Sequence, residues 1–120
     1  MIKKVLIIDD NEQDQKIMKR YLNHEGFNEI LLADSGEDGI SKVKENKPDI
    51  VILDTALPGI DGFETCKQIK EIVELKVKVI ILTGLIDAVD AGKAREMGAD
   101  DYCVKTSDYG ALIYAVKKIG

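Results

Sequence analysis

Five times along the chain a short apolar run is followed by a stretch whose apolar positions recur at helical spacing. Val5-Leu6-Ile7-Ile8 opens the series, and Ile17, Met18, Tyr21 and Leu22 then share one helical face. Ile30-Leu31-Leu32-Ala33 follows, with Ser35-Gly36-Glu37-Asp38 as a capping signal and Ile40 and Val43 turned inward. The third run, Ile50-Val51-Ile52-Leu53, is wholly apolar, as a strand buried on both faces requires. Beyond a turn at Leu57-Pro58-Gly59, Asp61 caps a helix with Phe63, Cys66, Ile69 and Val73 inward. The fourth run is Val79-Ile80-Ile81-Leu82, and its helix, with Ala88, Ala91, Gly92 and Ala94, has little to pack. The last is Tyr102-Cys103-Val104, followed by Leu112, Ala115, Val116 and Ile119. Apolar strands alternating with amphipathic helices predict an α/β domain with a parallel sheet covered on both faces.

Composition sharpens this picture only a little. The chain has 120 residues, 45% hydrophobic and 32% charged, and so predicts one ordinary domain spanning 1–120. Its net charge of −5 repels a phosphate backbone, which argues against nucleic-acid binding by this chain alone. Its apolar runs are too short to span a bilayer. The run at the N-terminus stops at Asp9-Asp10, unlike an export signal, so a cytoplasmic location is expected. Cys66 and Cys103 are then reduced, and their spacing fits no zinc motif. Both read as small core residues.

In an open parallel sheet, ligands bind beyond the carboxyl ends of the strands. The residues there are Asp9-Asp10, Ala33-Asp34, Asp54, Thr83 and Lys105. Carboxylates gathered so closely repel one another, and a hard divalent cation removes the conflict. Mg²⁺ suits the set: it prefers oxygen ligands and usually takes one or two carboxylates together with phosphate oxygens. Lys105 adds a point charge, and Thr83 a hydroxyl donor, for a phosphoryl group.

These residues carry a resemblance. Asp9-Asp10, Asp54 at the end of an apolar strand, Leu57-Pro58-Gly59-Ile60-Asp61-Gly62, Thr83-Gly84 and Lys105 stand in order along the whole chain. Together they resemble the receiver domain of two-component response regulators. The resemblance implies a flavodoxin-like (βα)5 three-layer sandwich with strand order 2-1-3-4-5. It implies that Asp54 is the nucleophile, taking a phosphoryl group from a phosphohistidine on a sensor histidine kinase or phosphotransfer protein. Asp10 and Asp54 would ligate Mg²⁺, Asp9 would act mainly through water, and the Ala56 carbonyl would complete the set. Lys105 would pair with the phosphoryl oxygens, Thr83 would swing toward them, and Tyr102 would turn inward behind it. The change would reach a downstream protein target through the fourth and fifth helices, and a phosphorylation-dependent homodimer is compatible with it. The domain would then be no enzyme in the ordinary sense, catalysing only its own phosphorylation and dephosphorylation. Ala56 and Leu85 stand where this family tunes self-dephosphorylation, and neither can orient a water, so a long-lived phosphoform is expected.

The sequence departs from the pattern in two places, the thin fourth helix with Gly92 and its alanines and the residue after Lys105. Lys105 is followed by Thr106, where the family usually has a proline in a cis bond. A non-proline cis bond costs about 3 kcal/mol, so either this bond is strained or the loop runs differently. That departure supports an alternative, a non-phosphorylated pseudo-receiver used as an interaction module. Taken singly, Thr83 reads as a turn residue, Lys105 as a solvated lysine, and Tyr102 equally as strand packing or as a switch. His24 reads as a solvated helix-end residue, so the phosphohistidine must come from another protein. Asp34 and Glu12 are candidates for extra acidity at the rim. Asp9-Asp10-Asn11-Glu12 lacks the phosphate cradle of a flavin protein, and no dinucleotide fingerprint follows the first strand.

Overall fold

A computed structural model of the protein describes residues 4–72, 74–84 and 88–119. Its strands are β1 (Lys4–Ile8), β2 (Glu29–Ala33), β3 (Ile50–Asp54), β4 (Lys78–Thr83) and β5 (Asp101–Val104). They alternate with helices α1 (Glu12–His24), α2 (Gly36–Asn46), α3 (Gly62–Lys70), α4 (Ala88–Glu96) and α5 (Gly110–Ile119). All neighbouring strands are parallel, in the order β2-β1-β3-β4-β5. This is the flavodoxin-like arrangement that the resemblance implies.

The apolar runs are explained by what lies on each side of the sheet. Successive strand side chains point to opposite faces. Val5, Ile7, Ile50, Ile52, Ile80 and Leu82 pack on one side with Met18 and Leu22 of α1 and Leu112 and Val116 of α5. Leu6, Ile8, Val51, Leu53, Val79 and Ile81 pack on the other with Val43 of α2, Phe63, Cys66 and Ile69 of α3, and Ala94 of α4. No strand has a polar face to spare, so periodicity disappears from the central runs.

The helices begin where their caps allow. Asn11, Ser35 and Asp61 each accept a hydrogen bond from the backbone N–H three residues on, at Asp14, Asp38 and Glu64. One expectation needs correction. Ile17 does not share the buried face of α1; it is 39% exposed, while Gln15, Met18 and Leu22 are buried there. The third helix is described to Lys70, and the expected inward residue Val73 lies outside the described residues. Leu85 also falls outside them.

The thin helix is α4. Of its described side chains only Ala94 is in the core, and the aliphatic length of Lys93 brings its ammonium 4.7 Å from the centre of the Phe63 ring. A cavity of about 370 Å³ lies between α4 and β5, lined by Ala91, Ala94, Arg95, Ala99, Asp100, Asp101 and Tyr102. Small side chains leave room that a leucine would fill.

Candidate functional site

Strand register assembles the site. Ile8 of β1 lies opposite Leu53 of β3, so the next residues, Asp9 and Asp54, emerge side by side. Thr83 of β4 lies opposite Val104 of β5, and the Lys105 N–H donates to the Thr83 carbonyl at 2.6 Å. The chain leaves β1 toward the α1 side and β3 toward the α3 side, so a crevice opens between these two strand ends.

One carboxylate oxygen from each of Asp9, Asp10 and Asp54 lies within 4.8 Å of the others. Asp9 is 1% exposed and Asp54 9%, while Asp10 is exposed and leaves the crevice open to solvent. Lys105 closes one side. Its Nζ lies 3.0 Å from Asp9 Oδ2 and 3.7 Å from Asp54 Oδ1. Burial alone would lower the Lys105 pKa, but hydrogen bonds to Asp14 and Asp9 and the charge of Asp54 hold it above the ordinary lysine range. Asp54 is pushed the other way. Burial first, then the neighbouring Asp9 charge, raise its pKa to about 6, against the pull of Lys105 and a hydrogen bond from the Ala56 backbone.

These residues fit Mg²⁺. The donors are hard oxygens, the carboxylates outnumber the ammonium, and burial together with the Asp9 charge pushes Asp54 toward its neutral form, which a cation would oppose. Asp10 and Ala56 lie on the exposed side, where waters and phosphate oxygens would complete a coordination shell. Thr83 is 6% exposed at the end of β4. Tyr102, one strand over, is half-buried; its hydroxyl has no solvent access and no hydrogen-bond partner.

The Lys105-Thr106 bond is trans, as are all described peptide bonds. The loop therefore takes a different course from a cis-proline loop. The Thr106 hydroxyl donates to Asp108 Oδ1 at 2.9 Å, and both oxygens accept from the Gly110 N–H, which starts α5. Lys105 reaches the acidic cluster without the proline.

Three residues at the site were not singled out in the sequence. Asp14 Oδ2 lies 3.0 Å from Lys105 Nζ. Gln15, buried, donates from Nε2 to the carbonyls of Asp9 and Ala33 and so ties the ends of β1 and β2 together. Tyr109 is 5% exposed, stacks obliquely on Tyr21 with ring centres 6.0 Å apart, and shares a hydrogen bond with the Asp14 carboxylate. Asp14 and Gln15 stand on the first and second turns of a polar-looking helix start, which gave them no distinguishing signal. Asp34 and Glu12 are exposed.

A parallel sheet in this order, with an acidic cluster and a lysine at its carboxyl edge, defines the CheY-like receiver class. The family model for the response regulator receiver domain matches residues 5–117, and the chain belongs to that family. Its relatives are regulators. The transcriptional regulatory protein AfsQ1 of Streptomyces coelicolor is 40% identical over 101 residues, covering 84% of this chain and 44% of that protein. The alkaline phosphatase synthesis transcriptional regulatory protein PhoP of Bacillus subtilis is 35% identical over 105 residues, covering 88% and 43%. The chain thus spans less than half the length of these curated relatives. Among solved structures, the CheX-CheY-BeF3-Mg+2 complex from Borrelia burgdorferi aligns with a TM-score of 0.90 and 29% identity, over 98% of this chain and 88% of that one.

Proposed function

We propose that this receiver domain accepts a phosphoryl group on Asp54 from a phosphohistidine of a sensor kinase or phosphotransfer protein, in a reaction that depends on Mg²⁺. The observation that carries the reading is the buried Asp54 carboxylate, 3.7 Å from Lys105 and within 4.8 Å of Asp9 and Asp10. One carboxylate oxygen of Asp54 attacks phosphorus, the P–N bond to the donor imidazole breaks, and its electron pair leaves with the ring nitrogen. Mg²⁺, when bound by Asp10, Asp54 and the Ala56 carbonyl, with Asp9 acting through water, neutralises charge on the phosphoryl oxygens. Lys105 supplies an ammonium to the same oxygens, and Thr83 a hydroxyl. Asp54 must be ionised to attack; burial opposes this, and added positive charge favours it.

The domain turns over no separate substrate in this reading; it catalyses only its own phosphorylation and dephosphorylation. Thr83 and Tyr102 would pass the change to the surface of α4, β5 and α5, where a downstream protein or a second copy of the domain binds. Among the described side chains of α4 only Ala94 is buried, which supports this, since an element with few buried contacts shifts at small cost. Ala56 offers no side chain to orient a hydrolytic water, which supports a long-lived phosphoform. No helix among the described residues is long and apolar enough to cross a membrane, and the buried free thiols of Cys66 and Cys103 suit a reducing cytoplasm.

The test is intact mass after incubation with acetyl phosphate and Mg²⁺. The native chain gains one phosphoryl group; Asp54→Asn, or omission of Mg²⁺, abolishes the gain. A folded native chain that gains nothing is instead an interaction module, and a gain that persists in Asp54→Asn puts the nucleophile elsewhere.

A further inference from the structure

Lys105 has one more partner than the phosphoacceptor chemistry requires. Asp14 lies in the first turn of α1, outside the group of carboxylates that face one another around Asp54. Its Oδ2 is 3.0 Å from Lys105 Nζ, as near as Asp9 and nearer than Asp54 Oδ1 at 3.7 Å. Asp14 is itself held on two sides. Its N–H donates to Asn11 Oδ1 at 3.0 Å, which fixes the helix start. Its carboxylate shares a hydrogen bond with Tyr109, whose ring is buried against Tyr21. The Lys105 and Asp14 side chains are 19% and 30% exposed, so water weakens this pair only in part.

Resting on the phosphoacceptor reading, we propose that Asp14 is a positioning residue that tethers Lys105 back from Asp54 and slows phosphoryl capture. A phosphoryl group arriving at Asp54 needs the Lys105 ammonium on its own oxygens. Reaching them means giving up Asp14. Neutralising Asp9, Asp10 and Asp54 does not release this hold, because Asp14 is not one of them. The tether thus opposes the loaded state more than the resting one, and an effect on a rate follows from that difference.

The experiment compares the native chain with Asp14→Asn, Asp14→Glu and Glu45→Gln. Glu45 is exposed on α2, so its variant removes one negative charge away from the site. Two readouts are taken: the initial rate of phosphorylation by acetyl phosphate with Mg²⁺, and the affinity for beryllofluoride with Mg²⁺. Asp14→Asn, which keeps the shape and loses the charge, is expected to raise both about threefold, the scale of a part-exposed ion pair. Asp14→Glu restores rates near native, and Glu45→Gln leaves them unchanged. A merely structural role would lower the thermal midpoint without speeding the reaction. Asp14→Asn rates at or below native, or raised no more than by Glu45→Gln, overturn the tether and leave the phosphoacceptor reading standing. A native chain that takes neither phosphoryl group nor beryllofluoride overturns both.

Discussion

At Asp54 the needs of folding and of chemistry conflict. A carboxylate 9% exposed beside the buried Asp9 favours its proton, and its pKa rises from 3.8 to about 6. Between those values the folded chain binds more protons than the unfolded chain. Stability therefore falls as pH rises through that window and stays lower above it. In a chelator, Asp54→Asn should be more stable to urea than the native chain at pH 7, by up to about 3 kcal/mol, and match it near pH 4. Equal midpoints at pH 7 would mean that Lys105 already offsets the burial. Asp54, Asp9, Asp10 and Lys105 were legible from their places after apolar runs. Asp14 was not, because its partner lies 91 positions away and its own turn offers an ordinary acidic helix start.

At the scale of elements, the loop from β3 to α3 shows why the Leu57-Pro58-Gly59-Ile60-Asp61-Gly62 stretch has its form. Gly59 turns the chain at φ 74°, which glycine adopts at little cost. Gly62 matters for space: a Cβ there would sit 2.2 Å from the Asp54 carbonyl oxygen and 2.8 Å from the Thr55 Cα. Both are backbone atoms, so the strand end that carries Asp54 must move. Gly62→Ala should lower stability by about 2 kcal/mol or more and slow Asp54 phosphorylation by acetyl phosphate. Native-like values of both would show that α3 yields instead. The caps at Ser35 and Asp61 could be read locally, since a cap is a contact over three residues. The course of the loop at Thr106 could not. The sequence shows only that proline is missing; the hydroxyl bonds to Asp108 and Gly110 appear in the folded loop.

The whole molecule joins these scales. The strand ends hold the carboxylates together against their repulsion because two apolar layers fix the sheet beneath them. Binding a cation at the edge should return part of that cost to the fold. Urea midpoints of the native chain should rise with Mg²⁺ concentration, by about 1.4 kcal/mol for each tenfold increase above the dissociation constant. Asp54→Asn should show a weaker rise. A native midpoint indifferent to Mg²⁺ would speak against metal at this edge.

By itself the sequence determined the class of fold, the five strand and helix units, and which residues stand at the carboxyl edge. Hydrophobic periodicity and turn chemistry act over a few residues, so they are written locally. Tertiary structure decided the rest: that Ile17 faces water, that among the described side chains of α4 only Ala94 enters the core, and that Asp14 pairs with Lys105. Each of these depends on how helices settle on the sheet, and on distances between residues far apart in the chain. Lys105 and Asp9 are 96 positions apart, and only the parallel register of β1, β3, β4 and β5 puts 3.0 Å between them.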